Sequence, residues 1–128
     1  MRSIYFYDTV DAFSEKTLVS KRIRFKYREV RVRVHFVLNT NYTLQIKPII
    51  SLDNNAPSTG EPLGSNFLDQ LSQVDYLVGD DEVKEVNYYL DVEQIGTWFK
   101  IYANNTDSFP HTIDVAVHIT EIEPKEKE

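Results

Sequence analysis

Three histidines, His35, His111 and His118, are the only side chains able to carry imidazole chemistry, and no two of them show the i, i+2 or i, i+4 spacing of a metal-binding strand or helix. His35 and His118 fall on the polar faces of alternating segments, where solvation or cross-strand pairing is the expected fate, and His111 follows Pro110 in a turn. The chain contains no cysteine, which removes thiolate zinc sites, cysteine nucleophiles and disulfides together. Carboxylates crowd at Asp75, Asp80, Asp81, Glu82, Glu85, Asp91 and Glu93. A glycosidase pair would need two of them facing each other across a cleft, and a calcium loop would need an Asp-x-Asp-x-Asp pattern that is not present. Gly79-Asp80-Asp81-Glu82 therefore reads as an acidic turn. No serine or threonine lies in a nucleophile elbow, and Gly60, Gly64, Gly79 and Gly96 form no phosphate-binding loop. The expectation is a non-enzymatic protein without a metal or cofactor.

Two constellations point to binding instead. Residues 1–33 carry nine Lys/Arg against four Asp/Glu, a net of +5, whereas residues 34–128 carry five against sixteen, a net of −11. A basic strip could meet nucleic-acid phosphate, but an overall pI near 5.0 disfavours that reading. A basic strand beside an acidic one, within one chain or between subunits, accounts better for the asymmetry. Arg22, Arg24, Arg31 and Arg33, with Asp80, Asp81, Glu82 and Glu85, are accordingly the interface candidates, and a homo-oligomer or another structural protein is the expected partner. The alternative is carbohydrate: Trp98 and Tyr89 could stack on a sugar ring if they share an outer face, although large aromatics at such positions are more often core.

The elements that must position these residues are strands. Val30 to Leu38 alternates apolar and polar residues across at least six positions, which helical periodicity does not produce, so Val32, Val34 and Phe36 face a core while Arg31 and Arg33 face out. Further strands are expected near Ile4 to Val10, Lys16 to Lys26, Glu29 to Asn39, Thr43 to Asp53, Val74 to Val78, Glu82 to Glu93, Thr97 to Asn104 and Thr112 to Ile122, each ending in a turn signal. The longest connection, Asp53 to Gln73, holds Pro57, Gly60, Pro62 and Gly64 and one possible helical turn at Ser65 to Leu71. It is either a solvated crossover or a contact loop. The fold expected is all-β: one antiparallel β-sandwich, jelly-roll or Ig-like, of seven or eight strands over residues 1–123, followed by a charged tail at 124–128. No segment approaches the roughly 18 apolar residues of a membrane span, and no secretion signal is read at the N-terminus, so a soluble, unexported product is expected, with the cytoplasm as its location. Asn41-Tyr42-Thr43 and Asn104-Asn105-Thr106 match the glycosylation sequon by chance within turns.

The strand ending Lys47-Pro48-Ile49-Ile50-Ser51-Leu52-Asp53-Asn54, the long loop, the run Trp98 to Asn105 and the closing Ile113-Asp114-Val115-Ala116-Val117 resemble small β-sandwich proteins of phage and other virus particles. The resemblance implies a structural role, that of a decoration, minor capsid, head-completion or tail-associated protein that works by assembly. No functional residue is carried over from it.

Overall fold

The computed structural model describes residues 2–57, 59–66, 68, 76–88 and 96–122. Eight strands run in the order β1 (Arg2–Val10), β2 (Glu15–Val19), β3 (Tyr27–Phe36), β4 (Leu44–Ser51), β5 (Ser65–Asn66), β6 (Glu82–Tyr88), β7 (Trp98–Asn105) and β8 (His111–Glu121). They form two antiparallel sheets, ordered β1-β8-β3-β6 and β2-β7-β4-β5. First pairs with eighth, second with seventh, third with sixth and fourth with fifth, and these pairs alternate between the sheets. That is one long hairpin rolled into a sandwich, the jelly-roll topology, and it decides between the two topologies expected from the sequence.

Alternation along the strands builds the core between the sheets. Val30, Val32, Val34 and Phe36 of β3 and Ile113, Val115, Val117 and Ile119 of β8 meet Leu44 and Ile46 of β4 and Phe99, Ile101 and Ala103 of β7, all of them buried. Tyr27 is buried too, three residues before Val30, which strict alternation forbids. A register shift between Arg28 and Arg31 reconciles the two, with Glu29 at φ 54° as the residue the bulge inserts. Burial pushes the Tyr27 hydroxyl up to about 12, and it rests 3.2 Å from Thr97 Oγ1.

Several strand limits differ from expectation. The chain leaves the second sheet after Val19, and residues 20–26 form a link held by Ile23, which bridges to Thr97. Within the expected strand at 74–78, Leu77 makes an isolated bridge to Ile46. The long connection supplies a strand of its own, β5, beside β4. Residues 67 and 69–71 of the expected helical turn lie outside the described residues, as do 74–75 of the expected strand at 74–78, residues 89–95, and the expected charged tail at 124–128.

Between β4 and β5, residues 52–57 and 59–64 lie over the outer face of the second sheet, where Asp53, Gly60, Glu61 and Leu63 meet side chains of β2, β4 and β7. Gly64 gives the physical reason for the close approach: at φ 140°, a Cβ there would come within 2.5 Å of the Ile49 side chain and 2.6 Å of the Ile50 carbonyl oxygen. Beneath it Lys100 has no exposed surface, and its Nζ donates to Asp53 Oδ1 at 2.6 Å and to the Leu63 carbonyl at 3.3 Å. Buried ammonium groups need such partners, and these contacts fix the loop to the sheet. Lys47 pairs with Glu61, while Glu15 accepts from the Tyr102 hydroxyl and from the Gly60 N–H. The hydrogen bonds hold the carboxyls of Asp53 and Glu15 below their ordinary range, and burial with the adjacent Glu15 pushes the Tyr102 hydroxyl up.

Candidate functional site

Antiparallel registers put four connections at one end of the sandwich: residues 11–14, 37–43, 79–81 and 106–110. This end, the loop end, carries Phe13, Phe109, Leu38 and Tyr42 with their side chains in solvent, Phe13 at 71% and Phe109 at 67% exposure. Four large apolar groups on adjoining turns are an unusual concentration for a monomer surface.

The turns that display them are cross-braced. Buried Asn105 donates through Nδ2 to the carbonyls of Val10, Asp11 and Phe109, and its Oδ1 accepts from the Asp107 N–H at 2.9 Å. Phe13 N–H donates to the Asp107 carbonyl at 3.0 Å, Thr106 N–H to Thr43, and Tyr42 N–H to Gly79. His111 Nε2 lies 2.9 Å from Asp107 Oδ2, and that contact, with the Ser108 N–H, keeps the Asp107 carboxyl below its ordinary range. Phe13, Asn39, Asn41, Tyr42 and Asp81 have φ between 49° and 74°. Asparagine and aspartate adopt this left-handed conformation readily, but for Phe13 and Tyr42 it costs on the order of 1–3 kcal/mol each. The network therefore holds two aromatic side chains outward against their backbone preference. Sequence reading missed this site because Phe13 and Phe109 stand alone in their segments; the signal was the repeated Asp-x-Phe of Asp11-Ala12-Phe13 and Asp107-Ser108-Phe109.

The opposite end is basic. Arg2, Ile4, Lys21, Arg22, Ile23, Phe25 and Ile119 line a cavity of about 310 Å3 at the seam where β1 of one sheet meets the link after β2 of the other. Arg2 pairs with Glu121 at 3.1 Å and lies over the Phe25 ring, and Arg22 lies over Trp98. Gly96, at φ 92°, leaves room for that stacking, since a Cβ there would sit 2.4 Å from the Arg22 guanidinium. Lys21 is exposed and has no carboxylate partner among the described residues.

The structure thus divides the expected interface residues. Arg31, Arg33 and Glu85 share the outer face of the first sheet, with Arg31 Nε 3.3 Å from Glu85 Oε1 and Arg33 opposite Glu85 in register. Arg22 and Arg24 belong to the basic end, and Asp80, Asp81 and Glu82 to the loop end, where Glu82 Oε1 accepts from the Asp80 N–H at 3.3 Å. Trp98, partly buried beneath Arg22, presents no free platform on its Arg22 side, and Tyr89 lies outside the described residues. Other aromatics are exposed instead: Tyr5, which meets the His118 ring edge-on, and Tyr7, at 73% and 75% exposure, project from the first sheet beside a shallow depression of about 280 Å3 lined by Arg33, His35, Val83, Asp114 and Ala116. His35 Nδ1 lies 3.2 Å from Asp114 Oδ2, and His118 Nδ1 2.7 Å from Ser3 Oγ, the cross-strand pairing that alternation predicts. No group of three His, Asp or Glu side chains among the described residues is placed to hold a metal, and no described helix is long and apolar enough to cross a membrane.

Fold and site together define a jelly-roll domain with an apolar, cross-braced loop end and a basic seam. No protein family, characterised protein or solved structure matches the chain.

Proposed function

We propose that this chain is a non-enzymatic assembly subunit that engages protein through its loop end, in the manner of a decoration, minor capsid or tail-associated protein of a virus particle. The observation that carries the reading is the display of Phe13, Tyr42, Leu38 and Phe109 on turns whose hydrogen bonds fix them before any partner arrives. Preorganised apolar anchors lower the ordering cost of association, and aromatic anchors in a contact centre supply most of its energy. Jelly rolls are used widely in capsids, which agrees with the resemblance drawn from the sequence.

The test is a photoreactive benzophenone residue placed at position 109 in the protein made in its own host, with a second variant labelled at position 24 as the comparison. Discrete protein adducts formed from position 109 are the expected result. Labelling at 109 that yields no protein adduct overturns the reading.

Lectins share the same topology, and the exposed pair Tyr5 and Tyr7 favours a second reading as a carbohydrate-binding module. Residues two apart on one strand face stand about 7 Å from each other, close enough for one saccharide chain to touch both. Glycan titrations by calorimetry, repeated with Tyr5→Ala and Tyr7→Ala, would show binding that both substitutions abolish; heats equal to buffer across a broad glycan set dismiss it.

A further inference from the structure

The two ends of the molecule are complementary. At the loop end, Asp11 places an exposed carboxylate two residues from the outward ring of Phe13, and Asp81 adds a second exposed carboxylate. At the other end, the seam cavity has an apolar floor of Ile4, Ile23, Phe25 and Ile119 under a rim of Arg2, Lys21 and Arg22. Its volume of about 310 Å3 stands at the bottom of the range of small-molecule pockets, so it suits a single large side chain better than an extended ligand. Two of the three rim cations are already engaged, Arg2 by Glu121 and Phe25, Arg22 by Trp98. Of the three rim cations, the Lys21 side chain alone has no partner among the described residues, and Asp11, beside Phe13, is likewise an exposed carboxylate without an ion pair among them.

We infer that copies of this chain associate head to tail, with the Asp11-Ala12-Phe13 corner of one seated in the seam cavity of the next. Phe13 fills the apolar floor and Asp11 meets Lys21. The inference rests on the assembly reading and names its partner as a second copy. Because the two surfaces lie at opposite ends, the contact is heterologous: it closes into a ring where the rotation per copy permits and otherwise extends as a filament. An ion pair at its rim is screened over about 8 Å at physiological salt, so association weakens as salt rises while the Phe13 contribution persists.

Two variants make the test. Phe13→Asn disables the corner while suiting the left-handed backbone at that position, and Lys21→Glu disables the cavity rim; circular dichroism and thermal midpoints are measured first, and both variants are expected to remain folded. Sedimentation velocity on the full chain is expected to show wild-type mass rising with concentration in steps of 15.0 kDa, and each variant alone as a monomer. Mixed in equal amounts, the two variants retain one intact corner and one intact cavity between them, so they should form a dimer and nothing larger. A wild type that stays monomeric at every concentration overturns the inference, as does a mixture of folded variants that fails to pair. Either failure leaves the assembly reading standing if position 109 still cross-links to a different protein in the host, and removes both if it does not.

Discussion

Arg31 and Lys100 occupy equivalent places, each an outward-facing cation on an inner strand of a four-stranded sheet. Arg31 is half exposed and 3.3 Å from a half-exposed Glu85 on the neighbouring strand, whereas Lys100 is sealed beneath the loop that carries Asp53 and Leu63, 2.6 Å from Asp53 Oδ1. The first sheet leaves its outer face to solvent and pairs its charges sideways; the second is roofed by its own loop, and its charges tie the roof down. Facing outward in a strand therefore does not set a residue's dielectric surroundings. What covers the sheet sets them, and with them the energetic weight of each ion pair.

The largest expected effect belongs to the core that both sheets share. Phe36→Ala removes a fully buried ring between them and should cost on the order of 3–5 kcal/mol in urea or guanidinium denaturation. A loss below about 1 kcal/mol would mean that β3 does not pack between the sheets in this register.

Next comes the roof. Asp53→Ala strands the buried Lys100 ammonium and should lower the thermal midpoint several-fold more than Glu85→Ala does on the open sheet. Lys100→Met should be tolerated far better than Asp53→Ala, because Asp53 can return to water while Lys100 cannot. Equal losses from Asp53→Ala and Glu85→Ala would erase the distinction between the two faces.

Acid sharpens the same contrast. Asp53 and Glu15, which fasten the roof, and Asp107, which braces the loop end, have carboxyls held below their ordinary values of 3.8 and 4.5 by the hydrogen bonds they accept. Their folded forms bind fewer protons than the unfolded chain does in that range, so stability from them is complete above about pH 5 and is lost as pH falls through the depressed values. Denaturation midpoints measured from pH 6 to pH 2.5 should fall over that window, and Asp53→Asn should flatten the fall. An unchanged slope in that variant would detach Asp53 from the acid response.

Much of the fold is legible in the sequence because it is written in period two. Val30 to Phe36 and Ile113 to Ile119 alternate, so their inward and outward sets follow directly. Ile23-Arg24-Phe25-Lys26 also alternates, which hides the end of β2 at Val19; beyond it only the Ser20 N–H bond to the Phe99 carbonyl and the bridge from Ile23 to Thr97 continue the longer strand expected. Lys100 reads as a surface residue, since nothing local reveals that a loop some forty residues earlier will cover it. The loop end is illegible for a similar reason. Phe13, Tyr42 and Phe109 come from three separate turns, which are brought together by the bonds of Asn105 to Val10, Asp11 and Phe109 and by that of Thr106 N–H to the Thr43 carbonyl.

The smallest effect tests the open face itself. Arg31 and Glu85 are each close to half exposed, and Arg31 Nε also donates to Asn87 Oδ1 at 3.1 Å, so the ion pair shares its donor and is wetted on both sides. A double-mutant cycle with Arg31→Ala and Glu85→Ala isolates the pairwise energy, which for exposed pairs is about 0.2–1 kcal/mol. The coupling should shrink further in 1 M salt, where the Debye length falls to about 3 Å. Arg31→Glu with Arg33→Glu would set like charges against Glu85 across two strands, lowering stability modestly while leaving the mass in solution unchanged, because these arginines face their own sheet partners and lie away from both ends of the molecule. A change of mass in that double variant would move the contact between copies onto the open face. A coupling above about 2 kcal/mol would show that this face, too, is covered in solution.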